Sequence, residues 1–166
     1  MIFFLTEKGN GVSDGSFLPA GAVECSQEQY QSPFDWAVVN GEIVPSPNLL
    51  INARAAQVRV LSNTCQQQIT GGFASSALGA VFTYASGEVD QRNIAQSAQA
   101  MNGGLLVCKD NAGAWSRQPH TKAQAQQVLD DFVTARDSER NKLAGLEAQI
   151  EAATTVEAVK GVVWDA

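Results

Sequence analysis

From Thr121 to Ala153 the chain contains no proline and only one glycine, Gly145, and this unbroken run dictates a long helix. Thr121 and Gln124 stand at capping-box spacing, which marks its start near Pro119-His120. Leu129 with Phe132, Leu143 with Leu146, and Ile150 with Ala153 recur along it, and Arg136 and Glu139 form a charged layer between them. Such pairs suit a coiled-coil seam or the inward stripe of a helix lying on a sheet. They fall short of three or four clean heptads, which favours packing within the chain. Thr154-Thr155-Val156-Glu157 has capping-box spacing again and opens a last short helix through Val159 and Val163 to Trp164.

The remainder reads as mixed elements. Ile2–Leu5 is a buried-strand candidate, stopped by turn-forming Lys8-Gly9-Asn10-Gly11. Leu18–Gly21 breaks the chain, and Ala22-Val23-Glu24 is a brief extended piece. Ser26 and Gln29 make a capping box for one helical turn ending near Pro33. Trp36 to Val44 flanks Asn40-Gly41 with β-formers, which predicts a hairpin with a two-residue type I′ turn. Pro45-Ser46-Pro47 ends that sheet and acts as a linker.

A second helix is expected from Asn48 to Ile69, ended by Gly71-Gly72. Leu49, Leu50, Ala53, Ala56, Val60, Thr64 and Gln67 outline one stripe on it, and Val58, Leu61, Cys65 and Ile69 a second column. A small-residue stretch, Ala74 to Gly79, leads to a strand at Val81–Tyr84, and Asp90 to Met101 reads as helix. Leu105–Lys109, the turn Asp110–Gly113 and Ala114–Arg117 form a second hairpin. The expected architecture is α+β with two small sheet elements. A small β-rich unit covers residues 1–47, and a mixed helix and hairpin domain covers 48–166, with the long helix and the short final helix at its end.

Composition narrows the chemistry. With 11 Lys and Arg against 17 Asp and Glu, the balance opposes a grip on duplex nucleic acid, which needs clustered cations. No apolar run nears the roughly 20 residues of a membrane span, and Met1–Leu5 lacks the basic flank of a signal peptide. A cytoplasmic protein, or one carried on something assembled there, is expected. Cys25, Cys65 and Cys108 show no CxxC spacing and read as reduced, buried or half-buried thiols. His120 is the one histidine, so no His-rich metal site can form, and beside a helix start it reads as capping or packing.

Glu24 beside Cys25 raises a thiol pKa, the wrong direction for a nucleophile. Asp130, Asp131 and Glu139 read as a solvated helix face rather than two carboxylates opposed across a cleft. The double glycines are helix ends, and neither GxxxxGK[ST] nor GxGxxG occurs. No catalytic residue, cofactor, metal or small-molecule substrate is indicated. Phe34 and Trp36, in a polar neighbourhood, are either surface anchors or the core of a small sheet, and burial preferences favour the core.

The order Asn63-Thr64-Cys65…Ile69…Gly72-Phe73-Ala74-Ser75-Ser76-Ala77-Leu78-Gly79, then Phe82-Thr83-Tyr84, Trp115, Pro119-His120-Thr121, Ile150 to Val156 and Trp164 resembles a pattern of tailed-phage proteins. It looks like the domain of unknown function at the C-terminus of tail-fibre-associated and tail-fibre assembly proteins. Ile2-Phe3-Phe4, Leu18 to Glu24 and Ser26 to Tyr30 are similar to the opening of tail fibre assembly chaperones. The resemblance implies a non-enzymatic chaperone, in a phage or a phage-tail-like bacteriocin. Its partner would be the distal, C-terminal part of a trimeric tail fibre, whose folding it promotes. It would work in the cytoplasm of the bacterial host, with no nucleic acid or membrane partner, and some such chaperones remain on the fibre tip. The alternative is a permanent structural component of the tail, in the baseplate or fibre tip. Within that reading Phe34, Trp36, Val38 and Ile43, on and beside the Asn40-Gly41 hairpin, are the expected partner-binding residues.

Overall fold

The computed structural model describes residues 1–165 and shows an α+β chain that divides into two units. The first comprises Met1–Val58 with Gln149–Val162, and the second Arg59–Ala148 with the segment from Val163. Two long helices, α2 (Leu49–Thr70) and α4 (Lys122–Ala152), supply residues to both. No helix among the described residues is long and apolar enough to cross a membrane.

In the first unit β1 (Ile2–Thr6) pairs antiparallel with β2 (Gly9–Ser13) on one side and β3 (Val23–Cys25) on the other. The β2 strand corrects the expected turn at Lys8–Gly11, since only Glu7 and Lys8 turn and Gly9-Asn10-Gly11 pairs. Gly11 lies opposite Phe4, whose ring occupies the place a Cβ on Gly11 would take. A strand built on that glycine carries no apolar alternation to read.

The single-turn α1 (Gln27–Gln31) has the expected reciprocal cap. Ser26 Oγ accepts from the Gln29 N–H, and Gln29 Oε1 accepts from the Ser26 N–H. Tyr30 places its ring 4.9 Å from that of Phe3. After a 3-10 turn at Pro33–Asp35, β4 (Trp36–Val39) and β5 (Glu42–Pro45) form the expected hairpin. Asn40 and Gly41 take φ of 52° and 80°, the pair of positive values that a type I′ turn requires.

The same unit contains the end of α4 and α5 (Val156–Lys160), with Ile150 and Val159 fully buried. The cap of α5 lies one residue later than the expected box, because Thr155 Oγ1 accepts from the Ala158 N–H, and the helix ends at Lys160 rather than Trp164. Arg54 Nη2 donates to the carbonyls of Glu151 and Ala153, each at 2.8 Å, and so satisfies acceptors that the end of α4 leaves open.

The second unit is built on a four-stranded antiparallel sheet in the order β6-β7-β8-β9. Its strands are β6 (Phe73–Ser75), β7 (Phe82–Tyr84), β8 (Gly104–Lys109) and β9 (Trp115–His120). The described residues therefore form three sheets instead of two. The β6 strand starts at Phe73 and runs into the small-residue stretch, and β9 extends beyond Arg117 through Pro119 to His120, immediately before α4. The expected capping box of α4 is present: Thr121 Oγ1 accepts from the Gln124 N–H and Gln124 Oε1 from the Thr121 N–H. Helix α3 (Glu88–Gln99) contributes Ile94 and Ala98 to the core, and α4 contributes Ala125, Val128 and Phe132. Tyr84, Leu106 and Cys108 complete it from the sheet. Each large side chain buried there contributes ~1.5–3 kcal/mol.

The first half of α4 thus packs within its own unit. On α2 the buried residues are Leu61 and Cys65, so the second column is the inward one, while Ala56, Val60 and Gln67 of the first stripe are exposed.

Candidate functional site

A cleft of about 550 Å³ opens in the first unit, large enough for a side chain and its flanking backbone. Local sequence builds its aromatic side. Pro33 presets the backbone of the 3-10 turn, which carries Phe34 outward at 80% exposure. The backbone then becomes extended at Trp36, where β4 begins. Register places Trp36 opposite Pro45 and Val38 opposite Ile43, so Trp36, Val38 and Ile43 share one hairpin face while Ala37 and Val44 share the other.

Phe34, Trp36 and Val38 line the cleft, and Ile43 is half-buried on the hairpin face outside that lining. The expectation that Phe34 belongs to a sheet core is corrected, because its ring stands in solvent. Trp36 is half-buried, between the two readings.

Sequence reasoning did not find the polar side of the cleft. Thr6, Glu7, Lys8 and Asn10 come from the β1–β2 hairpin, and Asn48 and Asn52 from the start of α2. Asn10 Nδ2 donates to the Tyr30 carbonyl at 2.8 Å, which ties the hairpin to α1. A lining that combines aromatic rings with amides and one charge of each sign can hold a peptide. Apolar side chains stack on the rings, and the backbone exchanges hydrogen bonds with amide groups. The missing signal was β2 itself, whose Gly-Asn-Gly start reads as a turn.

The remaining chemistry-bearing residues are internal. His120 is 3% exposed, with Nε2 2.7 Å from the Tyr84 hydroxyl and Nδ1 2.9 Å from the Gln118 carbonyl. Because a carbonyl only accepts, Nδ1 carries the proton and Nε2 accepts from Tyr84. The histidine packs, as expected, and joins β7 to β9. Burial pushes the Tyr84 hydroxyl pKa up, with smaller contributions from Cys108 and Asp131.

Cys65 and Cys108 are buried and Cys25 is half-buried, all as free thiols. Burial raises the pKa of each, and Glu24 adds to the effect at Cys25. Among the described residues no group of three or more His, Cys, Asp and Glu side chains is placed to hold a metal ion.

Residues 52–165 match a family described as a domain of unknown function, DUF4376, and the chain belongs to that family. No curated protein and no solved structure matches the chain. Phe34, Trp36, Val38 and Ile43 precede the matched region.

Proposed function

From the resemblance of the opening segment and of the ordered motifs between Asn63 and Trp164, we propose a tail fibre assembly chaperone for a phage or a phage-tail-like bacteriocin. It binds the distal region of a trimeric fibre in the cytoplasm of the bacterial host and promotes folding there, with no catalytic step. The observation that carries the reading is the exposed Phe34 beside Trp36 on a cleft that Thr6, Lys8, Asn10 and Asn52 also line. Exposed aromatics clustered at a cleft are the usual anchors of protein recognition.

Fibre tips are intertwined and β-rich, and their strand edges stay unpaired while three chains find register. A small protein that holds one apolar side chain and its flanking backbone masks such an edge until the trimer closes. Affinity capture of the co-expressed fibre tests the reading. Phe34→Ala and Trp36→Ala are expected to lower capture about tenfold or more, while Phe34→Ala leaves thermal stability unchanged. Full capture by both variants would remove the cleft from the account. Recovery of the chain from purified mature particles would show that it stays as a structural part of the tail.

A further inference from the structure

The four-stranded sheet ends in β9, an edge strand whose reading is independent of the cleft and of the proposed chaperone function. The Ala85 N–H donates to the Val107 carbonyl at 3.1 Å, so that carbonyl points toward β7 and away from β9. Val107 lies opposite Arg117, which makes this a non-hydrogen-bonded pair, and alternation assigns the same to Lys109–Trp115 and Leu105–Pro119. Pro119, which has no N–H, fits that phase. The N–H and C=O groups of Trp115 and Arg117, with the Pro119 carbonyl, therefore point outward from the last strand. They find no partner among the described residues.

The side chains of these pairs share the sheet face opposite the core. Leu105 is 62% and Trp115 51% exposed there, and Lys109 Nζ stands 5.3 Å from the Trp115 ring centre. Neither Lys109 nor Arg117 forms an ion pair among the described residues, on a chain of net charge −6. A charged side chain and a proline are the usual guards of an edge strand. Here they select more than they block, since Pro119 confines any added strand to the Trp115–Arg117 stretch and the cations favour carboxylates beside it. A second copy paired through β9 would set two Lys109 and two Arg117 on one face with no carboxylate.

We propose that the β9 edge takes an extended acidic segment of a partner protein, added as a fifth antiparallel strand with carboxylates at alternate positions facing Lys109 and Arg117. The test is a titration of the full-length, 15N-labelled protein with acetyl-Glu-Val-Glu-Val-Glu-amide and its lysine counterpart. The acidic peptide should shift the Trp115 and Arg117 amides saturably, with a Kd of about 1 mM that weakens as salt rises.

Lys109→Glu with Arg117→Glu should abolish that response and create one to the lysine peptide. Arg117→Ala removes one cation and keeps the outward N–H, whereas Arg117→Pro removes both, so Arg117→Pro should weaken binding of the acidic peptide about tenfold more than Arg117→Ala. No saturable shift at about 5 mM peptide, or binding indifferent to the charge reversal, overturns the proposal. So does a shift of these amides with protein concentration alone, which would assign the edge to a second copy. Unchanged amide spectra away from β9 show that the variants remain folded.

Discussion

Tyr84 and His120 are joined by a 2.7 Å hydrogen bond between two buried side chains, and this bond crosslinks β7 to β9 over β8. Each solves a polarity problem for the other. Tyr84→Phe keeps the ring in the core but leaves His120 Nε2 a buried acceptor without a donor. It should cost ~1–3 kcal/mol in urea unfolding. A change below about 0.5 kcal/mol would mean that the bond contributes little.

The same tyrosine sets an alkaline limit. Burial raises the hydroxyl pKa of Tyr84 and the thiol pKa of Cys65 and Cys108 in the folded chain. Unfolding frees them to ionise near their ordinary values, about 8.5 for a thiol and 10 for a phenol. The unfolded state then holds fewer protons, so stability falls as pH climbs through and above that range. Denaturation midpoints should decline from about pH 9 upward, and Tyr84→Phe should flatten the part above about pH 10.

Gly103 is expected to be intolerant of any side chain. Its φ is +73°, and a Cβ there would run into the carbonyl of His120 and stand 2.8 Å from the Lys122 nitrogen. Gly79, at φ +85°, has nothing within 4 Å. Gly79→Ala should therefore cost only the ~1–2 kcal/mol of the left-handed conformation, and Gly103→Ala clearly more. Paired thermal melts read the difference.

Arg54 separates a capping role from a charge role in the first unit. Its guanidinium donates to two carbonyls at the end of α4, and it also lies 3.5 Å from the Glu151 carboxylate, which is 80% exposed. Arg54→Ala should cost ~2–3 kcal/mol through the lost charge-assisted bonds, while Glu151→Ala should change stability by under about 0.5 kcal/mol. Equal effects in urea unfolding would place the energy in the ion pair instead.

Where local chemistry decides the backbone, the sequence was readable. Asn40-Gly41 specifies its turn through two positive φ values, and Ser26-x-x-Gln29 specifies a reciprocal cap. The run without a breaker specifies α4. Tertiary pairing decided what was missed. The β2 strand exists because Phe4 covers Gly11, and β6 is three residues whose buried-exposed-buried alternation is too short to register. His120 is a strand residue through its pairing with Gly104 across β8–β9, and its side chain meets Tyr84 across the sheet.

The cleft divides the same way. Phe34, Trp36 and Val38 were legible as aromatic and β-branched residues beside a hairpin, whereas Asn48, Asn52 and the Thr6–Asn10 end of the β1–β2 hairpin reach the same cleft only through the fold. Ile43 follows from register alone.

The central proposal is most directly tested by co-expressing the neighbouring fibre gene with and without this chain, then sizing the captured product. The proposal predicts soluble, trimeric fibre only when the chain is present, and co-elution would show that it stays bound. Fibre that reaches a soluble trimer equally well alone would contradict the chaperone assignment.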